Sequence, residues 1–310
     1  MIDALYKIYK MFCKKETILD RLKINSIFRK FIVLVANYIL PLYLKLNTHS
    51  PNRAIKPQKD NPHIIASLTS FPTRINRLWI VIESILRQTQ KPDRLILWLS
   101  KEQFASIDNL PKNLIRLQDR GLEIILCDGD LRSHKKYFYV IKDFPQSNLF
   151  TFDDDILYPS NTIQSVLEAA TKFPHCVVGR YCNHIKKDKN GDVTFDRNFT
   201  EEFVCIPRLD TFIGSGGGAY YPVGSLPLLT QDDSFFMTEC KTADDVWLNT
   251  MCRYAGYKLV ATQSTCPIIE IKSKNNTTLF DVNYGQENHR QLKSARNYCI
   301  AHGIDPYKDL

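Results

Sequence analysis

Short apolar runs alternate with segments of helical periodicity along the first half of the chain's body. Four of the runs have the length and the turn-residue boundaries of buried strands. They are His63–Thr69, Arg94–Leu99, Leu122–Cys127 and Leu149–Phe152. Apolar residues recur at helical spacing over Ile75–Gln88, and a second such pattern follows Pro159 and Ser160, which are typical of a helix start. The body is therefore predicted to alternate strands and helices.

Continuous apolar strands joined by helices are typical of a mostly parallel sheet with helices on both faces. We predict this α/β architecture for residues 61–310, with shorter strands and more turns after residue 175. In such sheets, ligands bind beyond the carboxyl ends of the strands. The fourth predicted strand ends directly in Asp153, Asp154 and Asp155, so these carboxylates are expected at the ligand-binding edge.

Residues 1–60 precede the body as a basic, partly apolar helical arm. Its most apolar stretch is Phe31–Leu44, whose 14 residues would span only about 21 Å as a helix, against roughly 30 Å for a bilayer core. Pro41 interrupts this stretch, which is flanked by Arg29, Lys30 and Lys45. Two interpretations stay open: an interfacial helix at a lipid headgroup layer, or a helix docked on the body with a solvated basic face.

The arm holds all of the chain's net charge. The net charge is +8, and residues 1–60 carry 12 Lys/Arg against 4 Asp/Glu, so the remaining 29 of each sign balance. A basic arm points to nucleic acid or to an anionic membrane surface. Nucleic acid is disfavoured, because the surplus lies in an apolar arm rather than on an aromatic and basic sheet face. Residues 47–62 are polar, contain three prolines and predict a linker to the body.

Nine cysteines occur without a CxxC pair, and several lie within apolar runs. This pattern predicts reduced, buried thiols in a cytosolic protein rather than disulfides or a zinc site. The first residues also lack the long apolar core of a secretory signal.

The acidic triplet Asp153–Asp155 carries the strongest chemical signal. Adjacent carboxylates repel one another, which raises a pKa unless a cation compensates. Asp153 and Asp155 would point to the same side of an extended chain, and oxygen ligands favour Mg²⁺ or Mn²⁺. Such an ion could neutralise a diphosphate. The alternative is an acidic cluster that only stabilises the start of the following helix.

The triplet and its neighbouring segments resemble the GT-A superfamily of nucleotide-sugar glycosyltransferases, and most of all family 2-like bacterial enzymes of surface-polysaccharide synthesis. The matching segments span residue 63 to about residue 260. They are IIASLTSFPTRI (64–75), GDLRSHKKYFYVIKDFP (129–145), LFTFDDDILYPS (149–160), FIGSGGGAYYP (212–222) and ADDVWL (243–248). The resemblance implies a GT-A (Rossmann-like) fold, with a nucleotide-binding half at 61–160 and an acceptor-side half at 161–310.

The resemblance also assigns residues to the donor. Thr69 and Arg74 would lie in the nucleotide-binding loop, and Lys135 or Lys136 near the diphosphate. From residue chemistry alone, Arg74 fits a solvated helix start equally well, and two adjacent lysines are usually a surface pair. Within the triplet, Asp153 would contact the ribose, with Asp154 also on the donor side, and Asp155 would hold the metal together with Asp153.

The glycine-rich segment and a second acidic pair complete the predicted site. Gly216 and Gly217 remove side chains where a ligand or backbone must approach, and the resemblance places them at the donor-sugar and acceptor pocket; the alternative is a flexible loop. Asp244 and Asp245 open a predicted helix over Val246–Ala255, where an aspartate is also a good N-cap. In the resembling family, an acidic residue at this point is the general base of inverting enzymes, and Asp245 matches that position best.

Two histidines remain as candidates. The resemblance makes His289 a further metal ligand, although a lone histidine more often satisfies a local hydrogen bond. His184 has no assigned role.

The hypothesis from the sequence is a cytoplasmic glycosyltransferase at the inner face of the cell membrane. It would move a sugar from a nucleotide-diphosphate donor to a glycan or lipid-linked acceptor, with Mn²⁺ or Mg²⁺ as cofactor. One alternative is a nucleotidyltransferase, although SLTSFPTR lacks the expected glycine- and lysine-rich phosphate loop. The other alternative is a non-catalytic, membrane-associated carbohydrate-binding protein, which would not need the carboxylates. Inversion or retention stays open.

Overall fold

The computed structural model describes residues 1–13, 23–47, 55, 63–196, 200–264, 267–273 and 286–310. The helices in this part of the chain are α1 (Ile2–Met11), α2 (Ile24–Tyr38), α3 (Leu40–Leu46), α4 (Ile75–Leu86), α5 (Lys112–Ile115), α6 (Lys135–Asp143), α7 (Thr162–Lys172), α8 (Asp233–Glu239), α9 (Asp244–Tyr254) and α10 (Gln286–Ala301). The strands are β1 (Ile64–Thr69), β2 (Arg94–Ser100), β3 (Leu122–Cys127), β4 (Asn148–Phe152), β5 (Ile156–Leu157), β6 (Cys176–Gly179), β7 (Cys182–Lys187), β8 (Val193–Asp196), β9 (Thr211–Ile213), β10 (Gly217–Tyr221), β11 (Lys258–Ala261) and β12 (Ile269–Glu270).

A seven-stranded sheet forms the centre of the molecule, in the order β11-β6-β10-β4-β1-β2-β3. Strand β1 runs parallel to β2 and β4, and β2 runs parallel to β3. Strand β10 is antiparallel to both of its neighbours, β4 and β6. The predicted mostly parallel, Rossmann-like sheet is therefore confirmed, with β10 as its reversed strand.

Both faces of this sheet are buried, which explains why its strands are continuous apolar runs. In β2, Leu95 and Leu97 join the hydrophobic cluster that contains helix α4, whereas Ile96 and Trp98 join the cluster of α6 and α9. Successive side chains of a strand point to opposite faces, so apolar residues are favoured on both faces of these strands. The predicted helices on both faces are confirmed.

The predicted element boundaries need small corrections around Gln88. Helix α4 ends at Leu86, and α7 begins at Thr162 rather than at Pro159 or Ser160. The buried Gln88 side chain donates to the Pro159 carbonyl at 2.8 Å and accepts from the Ile163 amide at 3.0 Å. Gln88 is therefore a tertiary cap for α7, which sequence periodicity does not reveal.

The central sheet draws strands from residues 61–160 and from residues 161–310 alike. The smaller sheets are β8-β7-β9 and the two-stranded β12-β5, and the latter pairs a late segment with the strand that follows the acidic triplet. The division into a nucleotide-binding half and an acceptor-side half stays a prediction.

Helices α1–α3 form the arm, and they pack against the body. Residues Ile24–Leu46 make a helical stretch of 23 residues that is long and apolar enough to cross a membrane. The predicted 14-residue limit on its length is therefore wrong, because the helix begins seven residues before Phe31. The stretch does break near Pro41, which lies at the start of α3. The predicted linker at 47–62 lies outside the described residues, except for Asn47 and Ile55.

The eight described cysteines are reduced thiols, and six of them are buried; only Cys205 is exposed in this part of the chain. Cys266 lies outside the described residues.

Candidate active site

The acidic triplet lies in the short turn between β4 and β5, at the carboxyl end of β4. Its backbone is anchored by Tyr158, whose hydroxyl accepts from the Asp153 amide at 2.8 Å and donates to the Gly216 carbonyl at 2.5 Å. Helix α7 begins only at Thr162. The triplet is therefore separated from that helix by β5, and it is not the acidic start of a helix.

Arg74 and Ser70, from the loop after β1, hold two of the three carboxylates. The Arg74 guanidinium lies 2.6 Å from Asp154 and 2.8 Å from Asp155, and Ser70 donates to Asp154 at 2.5 Å. Arg74 is largely buried and stacks over the Phe71 ring. The interpretation of Arg74 as a solvated helix-start residue is thus wrong, since its guanidinium contacts the turn that holds Asp153–Asp155. We call this turn the acidic turn.

Burial is the main cause of the raised pKa values of the carboxyl groups in this turn. Burial raises the pKa of Asp154, and Arg74 and Ser70 offset the rise only in part. Burial and then the charge of Asp154 raise the pKa of Asp155 to about 7. Asp154 is almost inaccessible at 7% exposure, whereas the Asp153 and Asp155 side chains keep 40% and 24%. The two outer carboxylates are thus the ones open to a ligand.

Lys136 connects the triplet to the second acidic pair. Its ammonium group, on helix α6, is buried and lies 2.7 Å from Asp153 and 2.9 Å from Asp244. Burial opposes the charge on Lys136, but the two carboxylates outweigh it and raise its pKa. The neighbouring Lys135 is buried too, but it forms an ion pair with Asp130. The two lysines are therefore not a surface pair, and Lys136 is the one that faces the triplet.

Asp244 and Asp245 open α9, as predicted, but their environments differ. Asp244 is buried and accepts a hydrogen bond from Ser215 at 2.6 Å. Burial would raise its pKa, yet Lys136, His134 and Ser215 together lower it. For Asp245, burial and then the charge of Asp244 raise the pKa to about 7. Asp244 is thus a fixed anion, whereas Asp245 can exchange a proton near neutral pH.

The glycine-rich segment allows a very close approach of the acidic turn. A Cβ atom added to Gly216 would lie 1.7 Å from Oδ2 of Asp153, and one added to Gly217 would lie 2.3 Å from Cβ of Tyr181. Gly218 has a φ of +93°, which side-chain-bearing residues rarely adopt. The need for glycine in this segment comes from the protein's own side chains, and contact with a donor sugar stays a prediction.

Other sequence candidates have different surroundings. The Thr69 hydroxyl donates to the Trp98 carbonyl at 2.8 Å, across the β1–β2 pair. His289 is exposed on α10, with its ring edge against Phe195. His184 pairs with Asp210 at 2.9 Å. None of these contacts joins a histidine to the triplet, and the role of His289 as a ligand stays a prediction.

Sequence reasoning missed His134, which lies beside the second acidic pair. It is fully buried, stacks on Phe236, and its ring nitrogens lie 2.7 Å from the Tyr137 hydroxyl and 2.9 Å from the Cys240 carbonyl. A carbonyl only accepts, so Nε2 carries the proton and Nδ1 accepts from Tyr137. Burial lowers the pKa of His134 to about 4, so it is neutral. No sequence signal near HKKYF distinguishes this packing role.

The chemistry of the open carboxylates fits a divalent ion that is shared with a ligand. Within the described ranges, no group of three or more His, Cys, Asp or Glu residues could hold a metal alone. Mg²⁺-like ions are commonly held by one or two carboxylates, with phosphate oxygens and water completing the shell. Asp153 and Asp155 provide such a pair of accessible carboxylates. The residues therefore suit an ion whose coordination is completed by a ligand and water rather than a closed protein cage.

Comparisons with known proteins give only distant likenesses. No family model matches the chain, and no curated protein sequence matches it significantly. Similar solved structures include the mannosyltransferase PcManGT from Pyrobaculum calidifontis with GDP-Man and Mn²⁺, at 14% identity and a TM-score of 0.49 over 90% of this chain and 77% of that one. They also include S. aureus TarS 1–349, with and without UDP, at 12% identity and a TM-score of 0.43 over 65% of this chain and 59% of that one.

Proposed function

We propose that this chain is a glycosyltransferase that takes its sugar from a nucleotide-diphosphate donor. The observation that carries the proposal is the contact of Lys136 with both Asp153 and Asp244. This contact joins the acidic turn, which is suited to a metal–diphosphate, to Asp244, whose neighbour Asp245 can accept a proton near neutral pH. The acidic turn lies at a strand end, where α/β sheets bind ligands. The resemblance of the surrounding segments to GT-A enzymes supports the same reaction class.

The donor side would use the outer carboxylates of the triplet. Asp155, with Asp153, would hold Mn²⁺ or Mg²⁺, which supplies charge neutralisation of the leaving diphosphate. Asp154 would orient the turn, because Ser70 and Arg74 already bind it. Lys136 adds a positive charge where the donor's diphosphate would lie.

The acceptor side would use Asp245. A general base works best when its pKa lies near the working pH, and the pKa of Asp245 is raised to about 7. Burial, and then the negative charge of Asp244, which Lys136 and Ser215 hold in place, keep the pKa of Asp245 high. Deprotonation of an acceptor hydroxyl by Asp245 would give inversion at the sugar. We further propose a glycan or lipid-linked acceptor in the synthesis of a surface polysaccharide.

Calorimetric titration with UDP and with GDP, each with and without Mn²⁺, tests the donor side. We expect binding of one nucleotide that needs the metal and falls at least tenfold in Asp155→Asn. The matched control is Asp128→Asn, which alters an exposed carboxylate after β3 whose ion pair is with the exposed Lys101. Metal-independent binding, or equal loss in both variants, would contradict the assignment.

Release of the nucleotide diphosphate, measured with the sugar donor that binds, tests the reaction itself. A folded protein that binds no nucleotide but retains a glycan ligand would favour the non-catalytic carbohydrate-binding alternative. Release of pyrophosphate from a nucleoside triphosphate would instead indicate a nucleotidyltransferase.

A further inference from the structure

The arm presents a continuous apolar stripe to the outside of the molecule. Six large apolar residues of α2 and α3 share it at spacings of three or four residues, and each is between 54% and 84% exposed. They are Ile27, Phe31, Leu34, Tyr38, Leu42 and Leu46. Isolated exposed apolar residues are ordinary, but a contiguous apolar helix face marks an interaction surface. We call these six residues the outer stripe.

The opposite side of the same helices is fastened to the body. Ile32, Ala36, Leu40 and Leu44 are almost fully buried in the core cluster that contains α4. Asn37, also buried, donates to the Glu270 carbonyl at 2.8 Å and accepts from the Lys272 amide at 2.8 Å. Helices α2 and α3 are therefore apolar on two sides, of which only one is covered by the described part of this chain.

The positive charge of the arm indicates which kind of binding partner complements the outer stripe. Lys23, Lys30 and Lys45 are exposed on or beside the same helices, and residues 1–60 hold the whole net charge of +8. An anionic lipid surface complements this combination of apolar stripe and basic margin. A second copy of the chain would bring two strongly basic arms together, which repel each other.

We propose that the outer stripe docks into the interface of an anionic lipid bilayer, with α2 and α3 lying along the membrane plane. The helices do not cross the bilayer, although they are long enough. Crossing would pull the inner side, with Asn37, away from β12 and from the core. On this proposal, the docked interpretation describes the inner side of the arm and the interfacial interpretation describes the outer stripe.

The docked arm lies close to the acidic turn. The Lys272 amide donates a hydrogen bond to the Asn37 side chain, and the adjacent Ile271 amide donates to the Asp155 carbonyl at 2.7 Å. Strand β12, which precedes them, pairs with β5 directly after the triplet. If the proposed glycosyl transfer is correct, this placement favours an acceptor whose lipid is held in the same bilayer.

Vesicle co-sedimentation of the full chain, without nucleotide, tests the membrane proposal. Vesicles of phosphatidylcholine alone are compared with vesicles of equal parts phosphatidylcholine and phosphatidylglycerol. We expect binding to the anionic vesicles, weakened by high salt, and a loss of roughly tenfold or more in Phe31→Ser/Leu34→Ser/Leu42→Ser. The matched control is Ile206→Ser/Val223→Ser/Leu228→Ser, which removes three exposed apolar residues of the body. Equal urea midpoints show that both variants fold.

Three results would overturn the proposal. Equal vesicle binding by the stripe variant and wild type would remove the stripe's role. A dimer that forms without lipid and disappears in the stripe variant would assign the stripe to a second copy. Bound protein that resists release by alkaline carbonate would indicate a spanning helix. Nucleotide binding is measured separately by calorimetry, so failure of the membrane proposal and failure of the proposed function are distinguishable.

Discussion

Removal of the Lys136 charge is the sharpest perturbation of the candidate site. In Lys136→Met the side-chain volume is nearly kept, but Asp244 loses its buried counter-ion at 2.9 Å. Breaking a buried ion pair by removing one partner typically costs about 3–5 kcal/mol of unfolding free energy. Asp153 is 40% exposed, so solvent screens its contact with Lys136 and it adds little. We therefore expect a loss near the lower limit, about 3 kcal/mol.

This loss of unfolding free energy predicts a lower melting temperature, and the pKa shifts of Lys136 and Asp244 predict how the loss depends on pH. With an unfolding entropy of about 2.1 cal/mol/K per residue, 3 kcal/mol over 310 residues lowers Tm by about 5 °C. The raised pKa of Lys136 gives stability that is present below its ordinary pKa of 10.5 and is lost as pH rises through the folded value. The lowered pKa of Asp244 gives stability that is present above its ordinary 3.8 and is lost as pH falls through the folded value. The unfolding free energies of Lys136→Met and wild type should therefore differ most at pH values between these two ordinary pKa values.

Urea unfolding at several pH values measures this difference in unfolding free energy, provided that the denaturant slope m is the same for both proteins. Lys142→Met, which alters an exposed lysine on the same helix α6, is the matched control and should change stability by less than about 0.5 kcal/mol. The double variant Lys136→Met/Asp244→Asn should recover part of the loss, because the unpaired buried charge is removed. If Lys136→Met unfolds like Lys142→Met at every pH, the ion pair across the site is refuted.

Three further predictions concern the rest of the site and the arm. Asp245→Asn should lower transfer by roughly 10²–10⁴-fold and abolish a rise in rate with pH centred near 7, since the base acts only when deprotonated; a rise that persists in the pH–rate profile would assign it to another group. Gly216→Ala places a Cβ 1.7 Å from Asp153 and should cost about 1–3 kcal/mol in urea unfolding and weaken metal-dependent nucleotide binding, and unchanged values would mean that the turn moves freely. Asn37→Leu should cost about 1–3 kcal/mol because two backbone groups near β12 lose their partner; protease cleavage of the arm should become faster, and an unchanged rate would show that Asn37 does not fasten it.

The sheet and its helices could be predicted from the amino-acid sequence, because their signals are local. A strand buried on both faces is mostly apolar, as over Leu95–Leu99 of β2, and this is visible as a run of apolar letters. The location of the triplet at the end of β4 followed from the same pattern. Helix ends are not local in this way, since the start of α7 depends on Gln88, more than seventy residues away along the chain.

The tertiary structure decides which charged side chains contact one another. Nothing local distinguishes Lys135 from Lys136, but the turn of α6 directs one to Asp130 and the other to Asp153 and Asp244. Arg74 resembles a helix-start residue until the loop after β1 is placed beside the turn after β4. The arm likewise is one apolar stretch in the sequence, and packing alone divides it into a covered side and the outer stripe. Residue types decide which groups can carry charge or apolar surface, whereas the energies depend on distance and burial, which exist only after folding.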